Sequence, residues 1–195
     1  LGQNMVGWEK VTIKGKKNTT VTFRFGEMLN DSGAVSRGND GPKGSIYTAN
    51  YRTAKATGQY IMKGAKEGET YRPNFTFFGF RYVEITADKD INLIDFKAEF
   101  VSSDMTETGF VETSSDDVNK LISNVFWGQR CNYLSVPTDC PQRDERLGWT
   151  GDTQIFVGTG AYNADVRGFF HKWMQDVRDS QSEDGRYSDV VPRSR

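Results

Sequence analysis

The hydrophobic period of this chain changes once, near residue 102, and that change constrains the fold more than any other feature. Before it, Val21, Phe23 and Phe25 alternate with Thr20, Thr22 and Arg24. Residues two apart on a strand share a face, so this alternation predicts strands with one buried side. Tyr60-Ile61-Met62, Phe75-Thr76-Phe77, Tyr82-Val83-Glu84-Ile85 and the stretch from Ile91 to Val101 continue the pattern. Turn residues separate the runs at Lys14-Gly15-Lys16, Asp31-Ser32-Gly33, Gly64 to Gly68 and Asp88 to Asp90. The polar segment from Gly38 to Ala56 reads as an extended excursion rather than a core strand. Short strands punctuated by turns predict an antiparallel sandwich.

Beyond residue 102 the apolar residues recur at three and four. Ser114-Ser115-Asp116-Asp117 supplies N-cap chemistry, and Val118, Leu121, Ile122 and Val125 form the stripe of a helix running to about Ser135. Pro137 and Pro141 end it. A second helix is expected from about Asp152, carrying Ile155, Phe156 and Thr159. A third carries Phe169, Phe170, Trp173, Met174 and Val177 and closes at Glu183-Asp184-Gly185. The predicted class is α+β: a β domain over residues 1–102 and a helical domain over residues 103–195. The start at Leu1 instead of Met, and a last helix ending close to the terminus, lead us to expect a piece of a longer protein.

Composition removes several function classes. Across 195 residues, 25 Lys and Arg face 26 Asp and Glu. A net charge of −1 supplies no basic field for nucleic acid or for a membrane surface. No apolar run approaches the ~18 residues of a membrane-spanning helix. Aromatic residues make up 13% of the chain, enough to build a core. The two cysteines, Cys131 and Cys140, with one histidine in the whole chain, make neither a disulfide framework nor a zinc site, and read as two reduced, partly buried thiols. His171, beside Phe170 on the third helix, reads as a packed or half-exposed side chain. There is no phosphate-binding glycine loop and no Ser-His-Asp set.

Chemistry is concentrated between Pro137 and Asp152. These sixteen residues hold four carboxylates (Asp139, Asp144, Glu145, Asp152), Arg143, Arg146 and Trp149. One reading is a salt-bridged connector between helices, with Asp144 and Glu145 paired to the arginines, Asp152 capping the next helix and Trp149 packed on the core. The other is a sugar-cleaving site. Glycoside hydrolysis uses one carboxylic acid to protonate the leaving oxygen and a second carboxylate to activate water or attack carbon. Further carboxylates and Arg bind hydroxyls, and an aromatic ring covers the sugar's C–H face.

The segment Ser135-Val136-Pro137-Thr138-Asp139-Cys140-Pro141-Gln142-Arg143-Asp144-Glu145-Arg146-Leu147-Gly148-Trp149-Thr150-Gly151-Asp152 resembles the signature of bacterial α-L-rhamnosidases. Its flanks agree: Trp127-Gly128-Gln129-Arg130 before it, Tyr162-Asn163-Ala164-Asp165 and Phe169-Phe170 after it. Upstream, Leu1 to Trp8 and Phe75 to Glu84 resemble the concanavalin-like β-sandwich of that family. The resemblance spans essentially the whole chain. It implies a concanavalin-like sandwich followed by the first helices of a six-hairpin (α/α)6 barrel, and release of terminal α-L-rhamnose with inversion from a rhamnose-containing glycoside or polysaccharide. It implies Glu145 as general acid, Asp139, Arg143 and Asp152 as lining of the rhamnose subsite, and Trp149 as its aromatic wall. The residues offer no metal cluster and no EF-hand spacing, so no metal and no cofactor are expected.

An inverting enzyme also needs a base across the sugar ring, with the carboxyls about 6.5–9.5 Å apart. In the family that base is a Glu far downstream, and no carboxylate after Asp152 matches it. Asp165, Asp176, Asp179, Glu183 and Asp184 read as a solvated face. Asp189 lies in a loop that can approach the site. This chain alone is therefore expected to be inactive or nearly so. Two other readings stand beside this one. The β half could be a non-catalytic carbohydrate-binding or scaffolding module, with Trp8, Tyr47 or Tyr51 as stacking platforms, or the barrel could cleave a different sugar.

Overall fold

The computed structural model describes residues 1–31 and 39–193. Ser32 and Gly33 of the predicted turn, and Gly38 at the start of the polar segment, lie outside the described residues. The chain divides into two compact units, Leu1–Val101 with Gln142–Asp144, and Ser102–Pro141 with Glu145–Arg195. As the change of period implies, antiparallel sheets come first and helices come after them. Among the described residues no helix is long and apolar enough to cross a membrane.

The strands of the first unit are, in chain order, β1 (Met5–Gly15), β2 (Thr20–Gly26), β3 (Met28–Leu29), β4 (Ile46–Tyr47), β5 (Thr57–Ile61), β6 (Glu69–Tyr71), β7 (Phe78–Phe80), β8 (Tyr82–Ala87) and β9 (Ile91–Phe100). One sheet is built on β1, which pairs antiparallel with β9 from Gly7↔Phe100 to Gly15↔Ile91 and with β6 and β7 on its other edge. The second runs β5-β2-β8, also antiparallel. Aromatic contacts join the two: Phe25 stacks on Phe78 with centroids 4.0 Å apart and meets Phe80 edge-on at 5.0 Å, and Phe23 stacks on Tyr71. Val21, Phe23 and Phe25 are fully buried, as their alternation predicts.

Three sequence expectations fail here. The strand predicted at Phe75-Thr76-Phe77 is absent. Phe75 is fully exposed at a φ of +58°, which breaks the extended run, and the strand begins at Phe78. The polar segment before Ala56 contributes to the core through Ile46, Tyr47 and Tyr51, all buried. Tyr47 and Tyr51 are therefore not exposed stacking platforms. The Tyr51 hydroxyl instead donates to the Gly79 carbonyl at 3.1 Å. Trp8 is half-buried, donates its indole N–H to Glu99 at 2.8 Å and lies under the Arg72 guanidinium. The longest strand, β1, escapes sequence reading because Gly7 and Glu9 occupy two of its inward positions, between Met5 and Val11.

The second unit contains α1 (Asp116–Asn132), β10 (Tyr133–Leu134), β11 (Val136–Cys140), β12 (Glu145–Trp149), α2 (Thr150–Asn163), α3 (Arg167–Asp179) and β13 (Val190–Val191). Ser115 caps α1, its side chain accepting from the Val118 N–H. The helix stops before Ser135 because Tyr133 turns out of it into β10. The third helix ends at Asp179, short of Glu183-Asp184-Gly185, with the Ser180 amide closing onto the Asp176 and Val177 carbonyls. Tyr133 organises the core: it stacks on Phe169 at 4.6 Å and meets Phe156 and Phe170 edge-on, beside Ala164 and Val166. A second cluster joins Trp173, Val177 and Val191. The α1 stripe is only partly covered, with Ile122 and Val125 half-buried but Val118 and Leu121 exposed. His171 lies on the exposed side of α3.

Candidate active site

The segment that reads as a loop between helices is a β-hairpin. Its strands β11 and β12 pair antiparallel at Thr138↔Gly148 and Cys140↔Glu145, so two steps of β11 are matched by three of β12. That extra residue is a β-bulge, a device that bends a strand and re-aims its side chains. Neighbours on a regular strand point to opposite faces, yet Asp139, Cys140 and Glu145 each bring one polar atom to a common point, all within 4.8 Å of one another. The Cys140 thiol donates to Asp139 Oδ2 at 3.2 Å. Neither cysteine is in a disulfide and both are of intermediate burial, in line with their sequence reading. The two carboxylates and the thiol are donor types that can hold a divalent cation.

Trp149 stands at the end of β12, four residues after Glu145. Its indole N–H reaches back to the Glu145 carbonyl at 3.4 Å. Its own carbonyl accepts from the Thr153 hydroxyl at 2.7 Å, which joins the strand to the first turn of α2. On its far edge β12 pairs with β13 through Gly148↔Val191 and Trp149↔Val190. That pairing carries the Tyr187-Ser188-Asp189 loop to the hairpin, where the Asp189 carbonyl accepts from the Thr150 amide at 3.0 Å and the Asp189 side chain stays exposed.

Asp139 and Asp152 line one cavity of about 400 Å³, walled by Gln129 and Asn132 of α1, Tyr133, Thr138 and Phe156. Asp152 sits in the first turn of α2, where an acidic side chain is favoured by the helix dipole. The cavity has an apolar side in Val125, Pro137, Ile155 and Phe156. Gln129 fixes its floor, donating to the Gly160 carbonyl at 3.1 Å and accepting from Asn163 at 2.8 Å. Glu145 and Trp149 do not line it. Asp139 is thus common to the cavity and to the cluster around Glu145.

Arg143 lies in the turn Gln142–Asp144, which belongs to the first unit. There its charge acts on Glu27. Burial raises the Glu27 carboxyl above the usual range, opposed by hydrogen bonds from Asn4 and Asn50 and by the Arg143 charge. The connector reading pairs Asp144 with Arg143 or Arg146. Asp144 accepts from the Thr53 hydroxyl, which lowers its carboxyl, and the Arg52 and Arg143 charges lower it further. Cys140 is the participant that residue types do not single out, because the thiol's meeting with two carboxylates depends on the bulge.

Two family models match the chain. The bacterial α-L-rhamnosidase concanavalin-like domain covers residues 1–102, and the bacterial α-L-rhamnosidase six-hairpin glycosidase domain covers residues 106–195. Among curated relatives, an α-L-rhamnosidase of Streptomyces avermitilis is 47% identical over 98% of this chain and 18% of its own length. One from Formosa agariphila is 44% identical over 98% and 20%. The crystal structure of the Streptomyces avermitilis α-L-rhamnosidase complexed with L-rhamnose superposes with a TM-score of 0.85 at 45% identity, covering 100% of this chain and 18% of that one. The structure of α-L-rhamnosidase from Dictyoglumus thermophilum gives 0.86 at 38% identity, covering 98% and 20%. The chain spans about a fifth of the length of these relatives. With the sandwich, the hairpin and its flanking helices matched along the whole chain, this protein belongs to the bacterial α-L-rhamnosidase family.

Proposed function

We propose that the full-length protein removes terminal non-reducing α-L-rhamnose from rhamnose-containing glycosides by an inverting acid/base mechanism, with residues 1–102 forming its concanavalin-like sandwich and residues 103–195 the opening of its six-hairpin barrel. Glu145 is the general acid that protonates the departing glycosidic oxygen. Asp139, Arg143 and Asp152 bind the sugar's hydroxyls, and Trp149 covers its apolar side. Rhamnose is a 6-deoxy sugar, so its site must pair an apolar surface for the methyl group with charged groups for the hydroxyls. The observation that carries this reading is the hairpin cluster, in which Glu145 and Asp139 bring carboxylate atoms within 4.8 Å.

The same distance argues that Asp139 is not the base. An inverting pair leaves about 6.5–9.5 Å for a water, and two carboxylates on adjoining strands of one hairpin lie on one side of any sugar that enters. The base therefore comes from sequence outside this chain, which by itself is inactive. The exposed apolar side chains of Leu121 (61%) and Ile155 (84%) support helices made to be covered by further barrel helices.

The test is hydrolysis of aryl α-L-rhamnosides by the full-length enzyme and by this chain, with other aryl glycosides as competitors. The full-length enzyme should be active on the rhamnoside alone and the chain silent. Glu145→Gln should lose at least about a hundredfold on a poor leaving group and far less on an activated one, because only the former needs its proton. An inactive full-length enzyme, or equal loss on both leaving groups, would overturn the assignment.

A further inference from the structure

The turn of the site hairpin is held by residues from the first half of the chain, far from it in sequence. Two contacts and one charge interaction within the first unit converge on Gln142–Asp144. Gly79 of β7 lies so close that a Cβ there would stand 2.7 Å from Gln142 Cβ and 3.0 Å from its Cα. The Gly79 carbonyl is itself held from behind by the hydroxyl of buried Tyr51 at 3.1 Å. Thr53, two residues after Tyr51, donates its hydroxyl to Asp144. Half-buried Glu27, anchored by the amides of Asn4 at 2.8 Å and Asn50 at 3.1 Å, feels the charge of Arg143, which lowers its carboxyl against the effect of burial.

A bidentate guanidinium binds hydroxyls or carboxylates well only if its plane is fixed. Arg143 sits on a turn, the least restrained part of a hairpin. Seat and counter-charge add restraint there: Asp144 is pinned on one side, Gln142 is laid against a residue without a side chain on the other, and the Glu27 carboxylate is near enough to feel the charge of the arginine between them. We propose that the sandwich seats the tip of the site hairpin, with Thr53 and Glu27 as positioning residues that aim Arg143 at the substrate. The role assigned to Arg143 rests on the proposed function.

The test uses the full-length enzyme with Thr53→Val, Thr53→Ser, Glu27→Gln and Gly79→Ala. Amide exchange of residues 142–144 and kinetics on an activated aryl α-L-rhamnoside are read in parallel. Thr53 is exposed, so its loss should not unfold the sandwich, and melting curves check this. Thr53→Val and Glu27→Gln should speed exchange at the tip and raise KM about tenfold with kcat within about twofold, the pattern of lost uniform binding. Thr53→Ser keeps the donor and should restore both readings. Gly79→Ala should displace the tip and raise KM in the same way. An active wild type whose exchange and KM are unchanged in Thr53→Val and Glu27→Gln overturns the seat. A wild type inactive on rhamnosides overturns the functional reading and the substrate role with it, even if exchange responds.

Discussion

The indole N–H of Trp149 points back along its own strand to the carbonyl of Glu145, 3.4 Å away. The proposed aromatic wall and the proposed acid are therefore linked through the backbone, and the wall also restrains the strand. At that length the hydrogen bond is weak, so the ring's area should matter more than its donor. In the full-length enzyme Trp149→Phe should cost about threefold in kcat/KM and Trp149→Ala at least about a hundredfold. Steady-state kinetics on an aryl rhamnoside separate the two, and equal losses would contradict a wall role.

Gly148 is the point where β12 packs on the third helix. A Cβ there would stand 2.6 Å from the Trp173 indole nitrogen, which donates to the Val191 carbonyl at 3.2 Å. Gly148→Ala should push β12 away from β13 and destabilise by about 1–3 kcal/mol, the range for overpacking a core. A lower melting temperature with parallel loss of activity is expected, and Gly158→Ala, where a Cβ meets nothing within 4 Å, should be neutral.

Glu9 is fully buried on the inward face of β1, and neither carboxylate oxygen has a hydrogen-bond partner. Burial raises its pKa to about 7. Tyr71, facing it from β6, has its hydroxyl raised by its own burial and by the Glu9 charge. The folded state thus binds a proton that the unfolded chain releases near pH 4.5. The contribution of Glu9 to stability is highest below about pH 4.5, falls as pH rises towards 7 and then levels off, a loss of at most about 3 kcal/mol. Melting temperatures from about pH 4.5 to 8 should show this decline in the wild type and lose it in Glu9→Gln.

Glu69 is the opposite case. Its carboxylate accepts from the Tyr60 hydroxyl at 2.5 Å and from the amides of Lys63, Gly64 and Ala65 at 2.9, 2.7 and 3.1 Å. Desolvation raises its pKa, but these donors outweigh it and lower the value to about 2. Its contribution is complete above the unfolded value near 4.5 and is lost as pH falls towards 2. Glu69→Ala leaves those amides unpaired and should cost about 2–4 kcal/mol. Chemical denaturation at neutral pH measures it, and the gap to wild type should close near pH 2.

Residue types and their spacing determined the architecture: alternation at Val21, Phe23 and Phe25, the Ser115 cap and the aromatic stripe of α3 are local signals, legible because one residue's neighbours suffice to express them. The long motif identified the family for the same reason. Other features depended on partners distant in sequence. Glu9 on a core face reads as a charge that ought to be outside, and Phe75 as a strand residue that ought to be inside. The hairpin was hidden because Pro137 and Pro141 mark the end of a helix without specifying the next element, and because a bulge has no composition of its own. Only the tertiary structure brought Asp139, Cys140 and Glu145 to one point and laid Gln142–Asp144 on Gly79, since strand register and close backbone approach are decided by what packs across the fold and not by the adjoining residues of the chain.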